Sequence, residues 1–592
     1  MERDYGDTLV MRSEPVKLLG TLALFRGLDR DTLAAIADAL EWIWLPGGAT
    51  LFARDEPSDA MYIVLAGCLG TYSNGSPPQL QARIAAGEVV GEMGLLSGRA
   101  RTASVRALRD SDLARLPRES FDRVIVQHPA AMLRIAQLLV ERLESTGLRE
   151  RGPGPRTYTL LPHSIEVDVG GFATELVAAL SRIGRTELVW SVRGADHSSA
   201  WFHRVEAASD YVVYVADPEP STWTKLCMRQ ADAILLVARA ESEARPWPVS
   251  IADTGNSLAA TRSELILLHE ERVGSGAAAR WLAHLPDLQH HHVVTAADVA
   301  RIARLLTGKA VGLVLSGGGA RGFAHIGVIR ALREARVPID LVGGTSIGAI
   351  LGAGVAAGWS NEELVERFRR TFVTTNPLND YTLPLVSLVA GRKVTRLLRQ
   401  EFGEVTIEDL LLPFYAVSAN LTTGRGAVHR RGALWRWLRA SVAIPGVLPP
   451  VFDRGDVHVD GGAMNNLPVD VMRELNRGVV VAIDVGSDST FSADVEDVDL
   501  PPLWMLLSWF RRHKRRPSIL QILVRAGMVN SNAATALGRE HTDLLLTPPL
   551  ADVDLLNWKA FDRAISVGYR HAQERLAALD AAASAQLGVG SA

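Results

Sequence analysis

The sequence predicts a multidomain protein with an N-terminal β-barrel followed by a helix, a middle α/β region and a C-terminal α/β domain. The chain has 592 residues, and at about 150 residues per domain this length suggests roughly four structural units, or three of which one is large. Hydrophobic residues make up 47% of the chain and charged residues 22%, as in globular proteins with a full core. Short apolar runs separated by glycines fill the first part, whereas apolar runs alternating with helical stretches fill the rest.

The first domain is predicted over residues 19–150. Brief apolar runs such as Met61–Leu65 lie between glycine-containing turns, which is typical of a small β-barrel or sandwich. From Arg118 to Leu148 the apolar residues recur at helical intervals. The glycine and proline residues of Arg151–Pro155 then mark a domain boundary.

The middle α/β region is predicted over residues 156–308. Strand-like runs at Tyr211–Val215 and Ala233–Val237 alternate with helical stretches such as Phe172–Ile183, which predicts βαβ units and a mostly parallel sheet. Its first strand is not followed by a phosphate-binding glycine loop. We expect this region to be structural and to couple its two neighbours.

The C-terminal α/β domain is predicted over residues 309–575, and its first turn has the composition of an anion site. The strand Val311–Leu315 leads into the glycine-rich turn Ser316–Gly322 and then a helix. Backbone N–H groups in such a turn converge on an anion, and the helix dipole reinforces them. The turn matches neither the dinucleotide fingerprint nor the Walker motif.

A second turn of this domain presents a serine. Gly344–Gly348 is a G-x-S-x-G sequence between an apolar strand and a small-residue helix, a context in which the Oγ of Ser346 is exposed as a nucleophile. Glycines between a strand and a helix also serve close packing alone. The anion-binding turn just before it favours the catalytic interpretation.

A serine nucleophile needs a base, and two residues are candidates. His325 lies on the first helix beside apolar neighbours, where a packed structural histidine is at least as common as a catalytic one. Asp460 ends a short strand, and the two glycines after it turn the chain sharply. An Asp-Gly pair taken alone is most often only a turn.

Taken in order, the stretches Gly317–Gly322, Gly344–Gly348 and Asp460–Gly462 resemble the three signature motifs of patatin-like phospholipases. The resemblance implies a patatin-like α/β hydrolase domain with a Ser–Asp dyad, in which Ser346 is the nucleophile and Asp460 the base. It implies an oxyanion hole at Gly317, Gly318, Gly319 and Arg321, and a nucleophile elbow at Gly344 and Gly348. It implies no metal and no organic cofactor for catalysis. Further stretches that match the family are Ser441–Gly446, Pro449–Pro450 and Asn465–Pro468.

In the first domain, Val90–Ala103 resembles the phosphate-binding cassette of cyclic-nucleotide-binding domains. Amides after Gly91 and the guanidinium of Arg101 are able to hold a cyclic phosphate, and Glu92 is able to accept from the ribose 2′-OH. Val90 stands where an aromatic is usual. Either cAMP or cGMP is the expected allosteric ligand, and Thr102 hints at cGMP. The residues that the resemblance assigns to this site are Gly91, Glu92, Arg101, Thr102 and Ala103.

The order of the three parts resembles the neuropathy target esterase family over nearly the whole chain. We therefore expect a serine esterase that hydrolyses acyl esters of phospholipids or lysophospholipids under the control of a cyclic nucleotide. Two alternatives stay open. One is a cyclic-nucleotide effector whose patatin-like domain is mainly a lipid- or protein-binding scaffold, and the other is an active hydrolase with a vestigial sensor.

Charge and targeting patterns limit the partners and the compartment. The net charge is −3, so the chain has no basic excess for binding nucleic acid. The two cysteines stand in unrelated contexts, which argues against a disulfide framework and fits a reducing compartment. No signal peptide is recognisable, and the longest apolar stretch, residues 341–357, is shorter than the ~20 residues of a membrane span. We expect a cytoplasmic protein, either free or peripheral at the inner face of the membrane.

One segment has the composition of a peripheral membrane contact. Residues 501–510 carry two tryptophans and a phenylalanine, and residues 511–516 carry five formal positive charges. Apolar anchors beside cations are typical of interfacial segments. A core-packed helix followed by a solvated basic turn explains the same residues equally well.

Overall fold

A computed structural model describes residues 15–589, except 22–24, 26–28, 74–79, 128–154, 165, 196, 220, 247–261, 287, 384 and 487–530. The chain divides into two compact units. The first comprises Met1–Glu270 with Arg280–Ala303, and the second comprises Glu271–Ala279 with Arg304–Ala592.

The predicted N-terminal β-barrel is confirmed, and it opens the first unit. Two four-stranded antiparallel sheets, ordered β1-β8-β3-β6 and β2-β7-β4-β5, face each other across an apolar core. The strands are β1 (Glu41–Leu45), β2 (Thr50–Phe52), β3 (Ala60–Ala66), β4 (Cys68–Tyr72), β5 (Leu80–Ala85), β6 (Val89–Val90), β7 (Ser104–Ala107) and β8 (Ser111–Pro117). The helices are α1 (Pro15–Thr21), α2 (Arg30–Asp38), α3 (Glu92–Ser97) and α4 (Arg118–Gln127). The rest of the helix expected up to Leu148 lies outside the described residues.

The middle region is a six-stranded parallel sheet in the order β10-β11-β9-β12-β13-β14, as the alternation of strand and helix predicts. Its strands are β9 (Thr157–Pro162), β10 (Thr186–Val189), β11 (Tyr211–Val215), β12 (Ala233–Arg239), β13 (Arg262–Leu268) and β14 (Gln289–Val293). The helices of this part of the chain are α5 (Val169–Ser181), α6 (Ser191–Gly194), α7 (Ser199–Ala208), α8 (Thr222–Gln230), α9 (Ala277–His284) and α10 (Ala296–Thr307).

A buried ionic cluster joins the barrel to the middle sheet within the first unit. Arg109, in the loop between β7 and β8, donates to both carboxylate oxygens of Asp232 at 3.0 Å and also pairs with Glu206. The neighbouring Asp110 accepts two hydrogen bonds from Arg229 at 2.7 and 3.0 Å. Burial by itself raises the pKa of Asp232, but the adjacent arginine charge holds that pKa well below its usual range. The carboxylate is therefore ionised and paired in the folded protein.

The second unit contains an eight-stranded mixed sheet in the order β19-β20-β17-β16-β15-β21-β22, with β18 paired to β17. Its strands are β15 (Ala310–Leu315), β16 (Leu341–Thr345), β17 (Phe414–Asn420), β18 (Arg425–His429), β19 (Val451–Asp453), β20 (Asp456–Asp460), β21 (Gly478–Ile483) and β22 (Leu544–Leu546). Strands β15 and β16 are adjacent and parallel, so the turns that follow them emerge at the same edge of the sheet. Ligands of α/β sheets bind at this carboxyl edge.

Helices pack on both faces of this sheet. They are α11 (Ala324–Glu334), α12 (Ile347–Ala356), α13 (Asn361–Phe368), α14 (Arg392–Phe402), α15 (Leu434–Ser441), α16 (Val469–Leu475), α17 (Ser531–Glu540), α18 (Phe561–Ala577) and α19 (Ala581–Gln586). Short 3-10 turns span Gly319–Phe323, Ile407–Asp409, Gly461–Ala463 and Trp558–Ala560, and a π-helical segment spans Arg369–Thr374. Every residue of α12 is buried, which explains why this apolar stretch is an interior helix.

Candidate active site

Ser346 stands on a strained turn between β16 and α12. Its backbone has φ 55° and ψ −126°, a combination that a residue with a side chain rarely adopts. The chain folds back so tightly that a Cβ on Gly344 would lie 2.8 Å from the carbonyl carbon of Gly348. Small residues at both flanking positions are therefore required by the turn that presents the serine.

A second serine holds this turn in place. The backbone N–H of Ser346 donates to the Oγ of Ser441 at 2.9 Å, and the Ser441 hydroxyl donates in turn to the carbonyl of Val417 at 2.6 Å. Ser441 is fully buried at the end of α15. It thus satisfies an amide that the strained turn would otherwise leave without a protein partner.

Asp460 lies beside the candidate nucleophile because β20 pairs antiparallel with β17, with Asp460 opposite Ser418. The Ser346 hydroxyl donates to Asp460 Oδ2 at 2.7 Å, while the backbone N–H of Gly462 donates to Oδ1 at 2.8 Å. Burial raises the pKa of Asp460 to about 6, partly offset by these two hydrogen bonds. The carboxyl is therefore ionised at neutral pH, yet it is a much stronger base than an exposed aspartate.

The glycine-rich turn lies against the serine. A Cβ on Gly317 would be 3.1 Å from the Cβ of Ser346, and the amide of Gly317 donates to the carbonyl of Asn466 at 3.2 Å. Gly319 adopts φ 55° and lines the same cavity as Ser346. Because the Gly317 amide is already engaged, Gly318 and Gly319 are the better candidate donors to an oxyanion.

Two charged or titratable residues of this region point elsewhere. Arg321 donates its Nε–H to the carbonyl of Val553 at 2.7 Å. His325 is completely buried, with Nε2 3.0 Å from the carbonyl of Ser316, and burial lowers its pKa to about 4. The contact of His325 is thus to the backbone of the glycine-rich turn, which fits a structural histidine.

An apolar cavity extends from Ser346 along α12. Trp359, which follows the end of that helix, forms part of the wall and stacks on Phe402 at 4.9 Å between ring centroids. Two residues of the first turn of α12, Ile347 and Ile350, line the cavity next to Ser346. Other apolar side chains in its wall are Phe368, Phe372, Leu397 and Leu398. The arrangement combines an activated hydroxyl with room for an aliphatic chain.

The structure brings together part of the predicted cyclic-nucleotide site. Gly91 precedes α3 at φ 90°, and the Arg101 guanidinium donates to the Gly91 carbonyl at 3.2 Å. That guanidinium is buried over the ring of Phe52, and it pairs with the Asp59 carboxylate at 3.0 Å. Glu92 is also buried. In this conformation the Asp59 carboxylate pairs with Arg101, the residue expected to bind the phosphate of a cyclic nucleotide.

The other two residues assigned to this site lie closer to solvent. Thr102 is exposed and Ala103 is half-buried. Both follow Arg101 directly in the turn before β7, whereas Gly91 and Glu92 lie at the start of α3.

Two residues of the site have roles that no local sequence pattern indicates. Ser441 and Asn466 lie in two of the three further stretches that match the patatin-like family, but the sequence alone indicates no role for either. Ser441 holds the nucleophile turn, and Asn466 binds Gly317 through its carbonyl and, at 3.2 Å, through Nδ2. Their occurrence in matching stretches was the available signal.

The segment 501–516, predicted as interfacial, lies outside the described residues. In the part of the chain that is described, no helix is both long and apolar enough to span a bilayer. Among those same residues there is no group of three or more histidine, cysteine, aspartate or glutamate side chains arranged to hold a metal ion.

Three family models match the chain in sequence order. Residues 42–128 match the cyclic nucleotide-binding domain, residues 155–310 match the neuropathy target esterase family P-loop like domain, and residues 313–473 match patatin-like phospholipase. The three matches fall on the barrel, the middle sheet and the sheet that carries Ser346.

Curated relatives match almost the whole chain. Neuropathy target esterase sws of Drosophila melanogaster is 30% identical over 90% of this chain and 42% of its own length. Lysophospholipase NTE1 of Phaeosphaeria nodorum is 31% identical over 96% of this chain and 44% of its own, and patatin-like phospholipase domain-containing protein 6 of Pongo abelii is 30% identical over 95% and 46%. The chain thus spans less than half the length of these relatives.

Among solved structures, the regulatory domain of Toxoplasma gondii PKA with cAMP is 27% identical to this chain. It covers 23% of this chain and 52% of its own, with a TM-score of 0.21.

Proposed function

We propose that this chain, which belongs to the neuropathy target esterase family, is a serine esterase that hydrolyses acyl esters of lysophospholipids or phospholipids. The observation that carries the proposal is the 2.7 Å hydrogen bond from Ser346 Oγ to the buried Asp460 carboxylate, beside an apolar cavity. Names of relatives such as lysophospholipase NTE1 support the same substrate class.

In the proposed mechanism Asp460 accepts the proton of Ser346 while Oγ attacks the ester carbonyl. The amides of Gly318 and Gly319 stabilise the tetrahedral oxyanion, while the Nε–H of Arg321 donates to the carbonyl of Val553. Asp460 then returns the proton to the departing alcohol. A water molecule, deprotonated by the same carboxylate, attacks the acyl-enzyme, and Asp460 returns that proton to Ser346 Oγ as the fatty acid departs. The dyad needs neither a metal nor an organic cofactor.

The cavity fits one acyl chain of the substrate. Its wall is apolar next to Ser346, so burying methylene groups there is favourable at about 0.8 kcal/mol each. This binding energy orients the ester carbonyl at the hydroxyl, and it favours a long aliphatic ester over a short soluble one.

The barrel is proposed to sense cAMP or cGMP. A cyclic phosphate that binds Arg101 displaces the Asp59 carboxylate, so binding is linked to a change of ion pair in the barrel. Titration of the full chain with each nucleotide tests the sensor. An equally tight response in Arg101→Gln would remove Arg101 from the site.

The predicted location is cytoplasmic, with a peripheral contact at the inner membrane face through residues 501–516. Neutralising the five basic side chains of this segment tests the contact. Unchanged vesicle binding would exclude it.

The central experiment is release of fatty acid from lysophosphatidylcholine by the wild type and by Ser346→Ala, with and without each cyclic nucleotide. We expect the variant to lose at least ~10³-fold in turnover. Ser566→Ala, an exposed serine of α18, is the matched control. Release of fatty acid that depends on Ser346 but does not change with either nucleotide indicates a vestigial sensor. Release that survives in Ser346→Ala refutes the dyad, and no release at all by the wild type favours the scaffold alternative.

A further inference from the structure

An apolar hairpin projects from the catalytic domain. We define the apolar hairpin as residues 381–383 and 385–389, in which Tyr381 and Val389 form an isolated antiparallel bridge. Four of its large apolar side chains are exposed: Tyr381 by 78%, Leu383 by 79%, Leu385 by 90% and Val386 by 66%. Such a concentration of exposed apolar groups in six residues is unusual, because folded chains normally bury them.

The hairpin is held firmly at its base. The amide of Thr382 donates to the Leu388 carbonyl at 3.1 Å, which closes the hairpin. The amides of Leu388 and Val389 donate to the carbonyls of Gly446 and Val447, both at 2.9 Å. Backbone hydrogen bonds therefore anchor the base of the hairpin to the catalytic domain.

The helix that follows has two different faces. On the inner face of α14, Val394, Leu397 and Leu398 line the cavity of Ser346. On the outer face, Arg392 and Arg396 are exposed one turn apart. One helix thus separates an apolar cavity from a cationic surface.

The cationic surface continues into a groove, here called the arginine groove. Its lining includes Arg392, Arg396, Arg399 and Arg439. Arg439 is buried, and its Nη2 donates to the Pro449 carbonyl at 2.9 Å. Within the described part of the chain, its Nη1 is buried without a hydrogen-bond acceptor. The Nη1 of Arg439 does not reach the surface, so the guanidinium donors that the groove offers to phosphate oxygens are those of the exposed Arg392 and Arg396.

We propose that the apolar hairpin and the arginine groove together dock the catalytic domain on a bilayer that contains anionic phospholipid. Exposed apolar side chains enter the acyl boundary while cations meet the headgroups, the combination that interfacial proteins use. The hairpin is also continuous with the cavity, because Pro377 and Leu378, just before it, line the cavity with Ser346. Docking thereby places the cavity beside the lipid. The inference deepens the proposed function and rests on it for the identity of the substrate.

The test is binding of the full chain to sedimented phosphatidylcholine vesicles, with and without phosphatidylglycerol. The triple variant Leu383→Ser/Leu385→Ser/Val386→Ser is expected to lose at least about 100-fold in vesicle affinity, since each side chain loses its apolar burial. Arg392→Gln/Arg396→Gln is expected to lose about 30-fold on anionic vesicles, at about fivefold for each cation, and little on neutral ones.

The controls are Val192→Ser, a fully exposed apolar residue of the first unit, and Arg185→Gln, an exposed cation of that unit. Both are expected to bind like the wild type. Unchanged binding of the hairpin variant, or loss of binding only when residues 511–516 are neutralised, overturns the inference. A wild-type dimer in solution that the triple variant dissociates also overturns it, in favour of a second copy on the hairpin.

Vesicle binding is measured without turnover, so it is independent of the proposed chemistry. A protein that binds vesicles through the hairpin but releases no fatty acid contradicts the proposed function alone. Serine-dependent hydrolysis of lysophosphatidylcholine together with no vesicle binding contradicts the docking inference and the contact proposed for residues 501–516, but leaves the proposed chemistry intact.

Discussion

Replacing Asp460 by asparagine is expected to stabilise the catalytic domain while abolishing hydrolysis. The pKa of Asp460 is about 6 in the folded protein, compared with 3.8 for an unperturbed aspartate. A difference of about two pKa units corresponds to about 3 kcal/mol, by which the buried carboxylate destabilises the folded state at pH 8. Asparagine has nearly the same shape and keeps an acceptor oxygen, but it carries no charge.

The pH dependence of this effect has a definite sign. A group whose pKa is raised on folding contributes stability that is complete below its unfolded pKa and is lost as the pH rises through its folded pKa. For Asp460 this window runs from about pH 4 to about pH 6. The stability advantage of Asp460→Asn is therefore about 3 kcal/mol at pH 8 and about half of that at pH 5.

Hydrogen exchange of peptides from β17 and β20 across a urea titration measures the stability of this region separately from the first unit. The same samples are assayed for hydrolysis of lysophosphatidylcholine, which should fall by at least about 10³-fold because the base is lost. A variant that is no more stable than the wild type at pH 8, or whose advantage does not change between pH 5 and pH 8, refutes the burial argument. Retained hydrolysis refutes the role of Asp460 as base.

Three further outcomes follow from the contacts of the two units. In the wild type, kcat/KM is expected to fall tenfold per pH unit below about pH 6, because protonated Asp460 cannot accept a proton. A pH profile in which this fall begins only near pH 4 would contradict the prediction. Ser441→Ala leaves the amide of the nucleophile turn without its acceptor and should lower kcat about tenfold at unchanged KM, whereas an equal kcat would show that the contact is dispensable. Asp232→Asn leaves the buried charge of Arg109 partly uncompensated and should destabilise the first unit by about 3 kcal/mol in thermal unfolding. An unchanged stability of the variant would contradict the stabilising role of this ion pair.

Much of the fold is predictable because it depends on local sequence patterns. Glycine-separated apolar runs predict the barrel, and the alternation of strands and helices predicts the parallel sheet of the middle region. The strand predicted at Tyr211–Val215 has the same bounds in the structure. In contrast, no local pattern shows that Arg109 and Asp232 meet, because they are separated by more than a hundred residues and joined only through packing.

The catalytic motifs are likewise predictable from the sequence, because each is a local turn. The pairing of Ser346 with Asp460 as a catalytic dyad is a prediction that the hydrolysis assay tests. The tertiary structure decided which candidate base reaches the nucleophile. His325 faces the backbone of Ser316, whereas the antiparallel pairing of β20 with β17 carries Asp460 to the hydroxyl. Proximity between distant segments depends on strand order, which a linear motif does not specify.

The sequence by itself therefore determined the three domains, their order and the short motifs from which the site is built, because these depend on local backbone preferences and hydrophobic periodicity. Only the tertiary structure decided the partners of those motifs. In the tertiary structure the Ser441 hydroxyl accepts from the amide of Ser346, and the amide of Gly317 donates to Asn466. The apolar hairpin is exposed beside the cavity. Hydrogen bonds, burial and exposure are properties of segments brought together in space, and the raised pKa of the candidate base arises from that burial alone.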